Sequence, residues 1–441
     1  MRRVTQENRG KYTAGIDGLI YTTSEARGML LDEIGRLNPF NYHCLPVRRV
    51  YIPKPRGGLR PLGIPTIKDR VMQAVVKMAL EAEWEARFEP NSYGYRPGRR
   101  CQDAIQQIRS ITMRVNGNKG SPWVLDADIA GCFDNINHEK LLEKVPVFRE
   151  TIRRWLKAGV VEFSAWHETL AGTPQGGIIS PLLANIALDG MERAFGMETL
   201  KGNYVNPYHR QGRNKGVSLV RYADDFVNAA PSREVIITHV IPILRSFLAE
   251  RGLALKGAKT RIVHIEDGFD FLGFSLRQFP CKTGKFACIV RPSKESVKKL
   301  LGHVSEVLSR NKQAKADDIV TRLNQIIIGW CNYYRWCNAK ATFGYIDSRI
   351  WQMLWRWCVR RHESKDKNKS KGWIKNRYFM RVGNRDWVFG ERADHVLQLA
   401  ARIKIGNRYV KVKGCNSPYD PALHAYWEKR GYWRVAPGIV T

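Results

Sequence analysis

The sequence predicts an α+β protein that contains more than one domain. The chain has 441 residues, which is more than a single hydrophobic core normally organises. Up to about residue 285, short β-branched stretches alternate with stretches of helical periodicity, whereas three amphipathic patterns follow one another after Pro292. The first part therefore predicts mixed helix and sheet, and the second part predicts a helical domain.

A helix and a hairpin come first along the chain. The run Thr23-Ser24-Glu25 is typical of a helix start and leads into Ala26–Leu37. The β-branched and aromatic stretch Val47–Ile52 and the returning stretch Leu59–Ile64 flank a Gly57-Gly58 turn, which predicts a β-hairpin.

Helices then alternate with a strand. A helix is predicted over residues 68–88, and its spacing puts on one side Val71, Val75, Met78 and Ala79. A second helix is predicted from Cys101 to Val115. Trp123–Ile129 predicts a strand that points Val124, Asp126 and Asp128 to one face.

The last elements of the first part surround two short motifs. Ser180-Pro181 predicts a helix start, with serine as the cap and proline in the first turn. Leu219–Val227 predicts two short strands around a tight turn that contains two acidic residues. The polar, glycine-rich residues 199–217 predict a loop.

Three helices are predicted after Pro292. Ser293 can cap the first, and the apolar residues of the three recur at helical spacing: Val297, Leu300, Leu301, Val304 and Leu308; Ile319, Leu323, Ile326, Ile327, Trp330 and Tyr334; and Ile346, Ile350, Met353, Leu354 and Trp357. The lysine-rich Lys365–Lys371 predicts a flexible break before a further small module.

The charge of the chain indicates a polyanionic partner. The formal net charge is +32, and the 161 residues from Cys281 onward contain 33 basic and 12 acidic residues and nine of the 13 tryptophans. A basic and aromatic stretch suits binding to a nucleic-acid backbone and stacking on bases. The alternative is a solvated surface over a core rich in tryptophan.

Several protein classes are excluded. The composition is too apolar for a disordered chain, no apolar run reaches the roughly 18 residues of a membrane span, and the N-terminus has no signal core. The nine cysteines form no Cys-x-x-Cys pair and indicate reduced thiols rather than zinc or disulfides. We expect an intracellular protein, cytoplasmic in a bacterium or located in an organelle.

Two adjacent acids give the strongest chemical signal. Asp224 and Asp225 lie between apolar strand residues, where two carboxylates repel each other and lose hydration. Divalent cations would offset both costs, and Asp128 at the end of another predicted strand supplies a third carboxylate. Two Mg2+ ions about 4 Å apart could then activate a hydroxyl and stabilise a leaving pyrophosphate. An isolated Asp-Asp pair would more commonly be an ordinary turn.

Six blocks of the sequence, in family order, resemble the reverse transcriptases that group II introns encode. The segments are Pro53–Pro65 (the fingertip), Leu125–Ile136 (the first catalytic block), Gly172–Pro181 (the template-side block), Tyr222–Asp225 (the acidic turn), Phe271–Phe274 (the primer grip) and Gly329–Arg335 (the maturase domain). The resemblance covers about residues 15–425.

The resemblance implies a right-hand polymerase in three parts. Fingers and palm would occupy residues 1–285, a three-helix thumb that doubles as the maturase domain residues 286–380, and a small DNA-binding module residues 381–441. No cysteine pairs of the family's endonuclease follow Cys415, so endonuclease activity is not expected.

The implied function is RNA-directed DNA synthesis by two-metal nucleotidyl transfer. The cofactors would be two Mg2+ ions, and the substrates deoxynucleoside triphosphates (dNTPs) with an RNA template and a DNA primer. The partners would be the intron RNA, whose splicing the protein assists, and the target DNA into which that RNA reverse splices. The implied metal ligands are Asp128, Asp224, Asp225 and the carbonyl of Ile129, with Asp126 as a supporting hydrogen-bond acceptor.

Further residues are candidates for binding the nucleotide. Lys54 and Arg60 flank the hairpin turn and would bind a triphosphate, unless they lie on a solvated face. Gln175 would contact the incoming base pair or the template. Phe133 would be the steric gate against a ribose 2′-hydroxyl, with core packing as the alternative and Cys132 as a neighbouring candidate.

Cations elsewhere complete the expected site. Lys259 would protonate the leaving pyrophosphate, although a surface lysine without a role is equally compatible with the sequence. The residues expected to bind RNA or DNA are Lys298, Lys299, Arg335, Arg360 and Arg361.

Overall fold

The structure is a computed structural model of the chain. It describes every residue except 55–56, 114–119, 198, 201–202, 205–215, 282–285, 363–370, 407–408 and 433–441. The lysine-rich break predicted at 365–371 lies almost wholly outside the described residues. The chain divides into two compact units, one within Met1–Thr112, Lys119–Val263 and Lys411–Thr441, the other within Met113–Asn118 and His264–Val410.

The first unit mixes helices and strands. Its helices are α1 (Ser24–Gly35), α2 (Ile67–Arg87), α3 (Cys101–Thr112), α4 (Cys132–Asn135), α5 (His138–Lys144), α6 (Arg149–Leu156), α7 (Ser180–Leu188), α8 (Arg233–Val235) and α9 (Ile241–Ala249). Its strands are β1 (Val47–Pro53), β2 (Leu59–Ile64), β3 (Trp123–Asp128), β4 (Val160–Glu162), β5 (Ala165–His167), β6 (Thr199–Leu200), β7 (Asn203–Tyr204), β8 (Ser218–Tyr222), β9 (Asp225–Ala230) and β10 (Arg261–His264).

The second unit is mainly helical, and one further helix near the end of the described chain returns to the first unit. The second unit contains strands β11 (Phe269–Phe271), β12 (Phe274–Pro280), β13 (Phe286–Pro292), β14 (Phe379–Val382) and β15 (Arg385–Phe389), and helices α10 (Lys294–Arg310), α11 (Ala316–Tyr334), α12 (Lys340–His362) and α13 (Lys371–Tyr378). The returning helix is α14 (His424–Lys429).

A four-stranded sheet with the order β10-β3-β9-β8 organises the first unit. Strand β3 alternates as predicted, because Leu125 and Ala127 join the large apolar core whereas Asp126 and Asp128 point to the other face. Helix α7 contributes Leu183 and Ile186 to the same core. This sheet carries all three acids singled out in the sequence.

The predicted hairpin and helix starts are largely confirmed. Strands β1 and β2 pair antiparallel, and β4 and β5 extend their sheet. The Thr23 side chain accepts a hydrogen bond from the Ala26 N–H and caps α1. Helix α7 begins at Ser180, but the expected serine cap is wrong, because the Ser180 hydroxyl donates to the Pro174 carbonyl instead.

The apolar face predicted for α2 is wrong except at Val71, which is buried. Val75 and Met78 are 37% and 61% exposed, whereas Met72, Val76 and Leu80 are buried. The buried face also contains polar residues that have partners: the Asp69 carboxylate accepts from the Tyr42 hydroxyl, and the Gln73 side chain accepts from the Ile178 N–H. Because apolar spacing ignores such buried polar residues, it selected the wrong side of the helix.

The three helices predicted after Pro292 are confirmed as α10, α11 and α12. The Ser293 side chain accepts from the Ser296 N–H and caps α10. The predicted apolar positions supply the buried residues Leu300, Val304, Leu308, Ile319, Leu323, Ile327, Ile346, Ile350, Leu354 and Trp357.

The segment 411–432 packs in the first unit against α2, α3 and the loop between them. Trp427 is fully buried, and a Cβ added to Gly98 would lie 2.4 Å from its ring. The guanidinium of Arg430 donates to the buried carboxylate of Asp103 at 3.0 Å, and the Val412 N–H donates to the same carboxylate. The boundaries expected at residues 285 and 380 stay a prediction, because compactness need not follow functional boundaries.

We expect Trp427→Ala to lower the free energy of unfolding by about 3–5 kcal/mol, because the substitution leaves a cavity against Gly98. Chemical denaturation followed by far-ultraviolet circular dichroism measures the change. Trp166→Ala is the control, since that ring is 56% exposed and its loss should cost much less. If Trp427→Ala lowered the free energy of unfolding as little as Trp166→Ala does, the segment 411–432 would add little to the stability of the first unit.

Candidate active site at the acidic turn

The two adjacent acids lie at the turn between β8 and β9. Tyr222 pairs with Asp225, which leaves Ala223 and Asp224 as a two-residue loop. Ala223 has a φ of 59°, the positive value that tight hairpins require at their first loop position. Val220 and Val227 are buried behind the turn and hold both strands in the sheet. The turn therefore projects from an anchored hairpin.

Asp128 lies directly opposite Asp225. The two residues are antiparallel partners on β3 and β9 and therefore share one face of the sheet. Asp128 is 7% exposed. Among the residues that the structure describes, no three His, Cys, Asp or Glu side chains converge tightly enough to enclose a metal ion. The acids are adjacent, but they do not form a closed protein cage.

This arrangement fits a cation that keeps part of its coordination for other ligands. Mg2+ is commonly bound through one or two carboxylates, with water and phosphate oxygens as its remaining ligands. Asp128 and Asp225 offer two carboxylates from neighbouring strands, and Asp224 adds a third in the turn. The donor set therefore suits Mg2+ that is shared with a phosphate-bearing ligand.

Two cations next to the acids of β3 come from the neighbouring strand β10 and the loop before it. The Lys256 ammonium is 3.9 Å from the Asp128 carboxylate, and the Lys256 N–H donates to the Asp128 carbonyl. The Arg261 guanidinium is 3.0 Å from the Asp126 carboxylate. Asp126 thus has a cationic partner of its own, which agrees with a supporting role.

The acidic turn is supported from behind by the segment 91–94. The Tyr93 N–H donates to the Arg221 carbonyl, and the Arg221 N–H donates to the Asn91 carbonyl, so the segment runs along the edge of β8. A Cβ added to Gly94 would lie 2.3 Å from the Ala223 nitrogen. Only glycine allows the two backbones to approach this closely.

Buried polar side chains hold this support in place. The Arg221 guanidinium donates to the Asn185 side-chain oxygen and to the Ala223 carbonyl, and the Asn185 amide donates to the Gly94 carbonyl. The Arg96 guanidinium pairs with the buried carboxylate of Glu85 at 2.9 Å. Arg221 and Asn185 therefore join the acidic turn to the segment 91–94 behind it through buried hydrogen bonds.

Two buried acids lie beneath the turn. Glu192 accepts hydrogen bonds from the N–H and the side-chain amide of Asn91, and Glu89 accepts one from the Arg193 N–H. Burial raises the pKa of Glu192 well above its usual value, and the nearby charge of Glu89 raises it further. Glu192 therefore holds a proton more readily than an exposed glutamate, which reduces the repulsion between the two acids.

The block Gly172–Pro181 connects the site to the hairpin. The Gln175 amide donates to the Asp134 carboxylate at 2.9 Å, and the Gln175 carbonyl accepts from the Gly63 N–H at 2.7 Å. A Cβ added to Gly172 would lie 2.5 Å from the Phe133 carbonyl. Gln175 therefore bridges the chain beside Phe133 and strand β2.

The two cations of the hairpin are exposed. Arg60 lies opposite Ile52 on β1. Lys54 lies two residues after Ile52, directly beyond the end of that strand. The Lys54 N–H donates to the Gly58 carbonyl and closes the turn. The alternation of the strand thus places both cations on one side of the hairpin.

Cys132 and Phe133 occupy different environments. Cys132 is 3% exposed within the core, and burial raises the pKa of its thiol to about 12. Phe133 is half-buried and contacts the ring of Tyr95 edge-to-face, with the ring centres 6.3 Å apart. Of the two neighbours, Phe133 is the one that reaches the surface near the acids.

The expected RNA-binding residues differ in exposure. Lys298 and Arg360 are exposed, and Lys299 is exposed but pairs with Glu295 at 3.1 Å. The Arg361 guanidinium donates to the Ala314 carbonyl and lies over the Trp357 ring, and the Arg335 guanidinium lies over the Trp336 ring. The last two therefore have structural contacts as well as charge. The side chain of Lys259 is outside the described residues.

The primer-grip and maturase blocks contact each other in the second unit. The Tyr333 hydroxyl donates to the Leu272 carbonyl, and the Tyr334 hydroxyl donates to the Gly273 carbonyl. The Phe274 ring stacks on Tyr333 at 5.3 Å. Two motifs that are distant in the sequence thus form one local cluster.

Three residues of this region were not singled out from the sequence. Gly94, Tyr95 and Arg221 lie in polar or strand contexts that carry no signature of their own. Glycine followed by an aromatic residue is a weak signal, and a lone arginine next to an aspartate pair suggests an ordinary ion pair. Only the pairing of the segment 91–94 with β8 reveals their positions.

Comparison with known proteins identifies two matching families. A family described as "Reverse transcriptase (RNA-dependent DNA polymerase)" matches residues 52–276, and one described as "Group II intron, maturase-specific domain" matches residues 297–379. None of the helices that the structure describes combines the length and apolar character of a membrane span.

Curated proteins are similar over most of the chain. Protein YkfC of Escherichia coli K12 is 32% identical over 69% of this chain and 87% of its own length. The group II intron-encoded protein LtrA of Lactococcus lactis is 31% identical over 61% of this chain and 53% of its own length. A putative COX1/OXI3 intron 2 protein of Saccharomyces cerevisiae is 27% identical over 67% of this chain and 39% of its own. The matched region thus spans about half or less of the last two relatives.

We expect Gly94→Ala to destabilise the protein by about 1–3 kcal/mol, because the added methyl group would overlap the backbone of the acidic turn. Gly28→Ala is the matched control: this glycine lies within α1 with open space around it, so alanine should stabilise by up to about 1 kcal/mol. Denaturation midpoints of both variants measure the effects. A neutral Gly94→Ala would contradict the close backbone approach.

Proposed function

The chain belongs to the reverse transcriptases that group II introns encode, and we propose that it copies RNA into DNA at the acidic turn and binds its intron RNA. The observation that carries this proposal is the position of Asp128 opposite Asp225, beside Asp224 in the turn. These carboxylates stand on anchored strands and can hold cations where a primer end and a nucleotide meet.

Asp128, Asp224 and Asp225 would hold two Mg2+ ions, with the Ile129 carbonyl as a further oxygen ligand. Bound Mg2+ favours deprotonation of the primer 3′-hydroxyl and neutralises charge on the phosphates. The carboxylates position the reacting groups, and the Lys256 ammonium near Asp128 limits the repulsion between acids before substrate binds. Phosphate oxygens of the substrate would supply the remaining ligands of the two ions.

Lys54 and Arg60 would bind the triphosphate of the incoming dNTP. Both are exposed on one side of the hairpin, and guanidinium and ammonium groups bind phosphate oxygens strongly. Lys259 would donate a proton to the leaving pyrophosphate. Its segment begins directly after Lys256, whose main chain pairs with Asp128.

Gln175 and Phe133 would select the nucleotide. Gln175 bridges the chain beside Phe133 and the hairpin, and this position suits contact with the incoming base pair or the template. Phe133 is half-buried and reaches the surface beside the acids, which suits an aromatic side chain that excludes a 2′-hydroxyl.

The second unit would bind the intron RNA. The maturase-specific match lies within it, its exposed cations include Lys298, Lys299 and Arg360, and it also contains Arg335 and Arg361. Binding that favours the folded intron RNA would assist splicing by mass action, without the protein performing that chemistry. The same complex would reverse splice into target DNA, and the polymerase would then copy the RNA from a DNA primer.

We expect Asp128→Ala or Asp224→Ala to abolish cDNA synthesis in a primer-extension assay on an RNA template with dNTPs, because each removes an oxygen ligand. Assisted splicing of the intron RNA should persist, since it depends on RNA contacts elsewhere. Asp32→Ala, an exposed substitution on α1, is the control and should extend normally. Near wild-type extension by either active-site variant would refute the metal-ligand assignment.

We expect Phe133→Ala to raise the use of ribonucleotides relative to deoxynucleotides, because the change opens space beside the 2′ carbon of the sugar. Steady-state extension with each nucleotide class measures the ratio. Cys132→Ala is the matched neighbour and should leave the ratio unchanged, since Cys132 is enclosed in the core. A change of this ratio in the Cys132→Ala variant alone would show that the steric gate has been assigned to the wrong residue.

We expect the double variant Lys298→Gln, Lys299→Gln to weaken binding of the intron RNA and to flatten its salt dependence. Each lost phosphate contact should remove roughly 0.7–0.9 from the log–log slope of affinity against salt. Lys140→Gln with Lys157→Gln, an exposed pair in the first unit, is the charge-matched control. Identical slopes for wild type and both double variants would mean that Lys298 and Lys299 are merely solvated.

A further inference from the structure

Tyr95 combines exposure with an unusual backbone conformation. Its side chain is 51% exposed, and its φ of 61° lies in the left-handed region that residues with a Cβ rarely adopt. Such conformations persist where the surrounding structure imposes them, and they are concentrated at functional sites. Tyr95 is therefore a candidate functional residue.

The surroundings of Tyr95 hold it beside the acidic turn. Gly94 immediately before it contacts the backbone of Ala223, and the Gly94 carbonyl accepts from the Asn185 amide. Arg96 immediately after it is fixed by the buried carboxylate of Glu85 and donates to the Ser92 carbonyl. Both neighbours in the chain are thus anchored, and the Tyr95 ring projects from a rigid base.

The electrostatic surroundings agree with this location. Partial burial raises the pKa of Tyr95, and the nearby charge of Asp224 raises it further, whereas Arg60 lowers it. Tyr95 is therefore close to both the acids and a hairpin cation. Its hydroxyl remains protonated at neutral pH.

The Tyr95 ring contacts the ring of Phe133, the residue proposed as the steric gate. The two rings are edge-to-face, with centres 6.3 Å apart and planes at 78°, which is a favourable aromatic geometry. Phe133 packs against the core with only part of its surface, so the core by itself leaves the outer part of the ring without support. The Tyr95 ring supplies this support on the side of the acidic turn.

We propose that Tyr95 is a positioning residue for sugar selection, whose ring holds the Phe133 ring against the 2′ carbon of the incoming nucleotide. The inference rests on the proposed function, in which Phe133 is the steric gate. Tyr95 acts through its ring and not its hydroxyl, because the contact with Phe133 is aromatic. Loss of the ring allows Phe133 to move away and admits a ribose.

Substitution at a positive φ requires a residue that tolerates this conformation. Tyr95→Asn removes the ring and keeps a backbone that asparagine adopts readily, and Tyr95→Phe keeps the ring. Phe163→Asn is the matched control, because Phe163 is also a non-glycine residue at positive φ, 47°, and is 93% exposed in the β4–β5 turn. Primer extension by the full chain on an RNA template gives kcat and KM for dNTPs and ribonucleotides.

Tyr95→Asn should raise ribonucleotide use relative to dNTP use by roughly two- to tenfold, the effect of one aromatic pair, and mainly through KM. Tyr95→Phe and Phe163→Asn should match the wild type. In a Phe133→Ala background, Tyr95→Asn should add no further change, because Tyr95 acts through the ring already removed.

Three results would overturn the inference while leaving the proposed function intact. The first is a Tyr95→Asn variant that still extends primers with dNTPs and shows the wild-type ratio of ribonucleotide to dNTP use. The second is a Tyr95→Phe variant that behaves as Tyr95→Asn does. The third is a full additional effect of Tyr95→Asn in the Phe133→Ala background. A wild-type chain that extends no primer would instead overturn the proposed function, and this inference with it.

Discussion

The structure depends on holding like charges together at the end of a sheet. Asp128 and Asp225 face each other across β3 and β9, and Asp224 follows in the turn, so three carboxylates occupy a small region of partly buried surface. Their mutual repulsion favours separation. The turn must therefore be held by interactions behind it, which the segment 91–94, Arg221 and the packed strands supply.

This requirement explains why so many buried polar groups lie beneath the turn. The Arg221 guanidinium joins the Ala223 carbonyl to Asn185, and Glu85 fixes Arg96 in the same loop. Segment 411–432 adds a second layer, since Arg99 of this loop donates both to the Pro90 carbonyl and to the Gly414 carbonyl. The support of the acids thus involves parts of the chain that are more than 300 residues apart in the sequence.

Sequence patterns predicted the elements that follow local rules. The alternation of β3, the hairpin of β1 and β2, and the three helices after Pro292 depend on periodicity and turn chemistry, and all are confirmed. The buried face of α2 and the return of Trp427 to Gly98 depend on tertiary partners that periodicity does not reveal. The acids were recognised because they form a motif in the sequence. Gly94, Tyr95 and Arg221 were not recognised, because their positions depend on tertiary contacts.

We infer that Asp225 and its neighbours bind cations jointly with substrate. Electron paramagnetic resonance can count the Mn2+ ions bound by the full chain together with an RNA template, a DNA primer and a non-hydrolysable dNTP. Wild type should bind two more ions than Asp225→Asn on the same nucleic acid, and this difference should shrink when the nucleotide is omitted. Equal ion counts for wild type and Asp225→Asn with nucleotide present would show that the Asp225 carboxylate does not hold these ions.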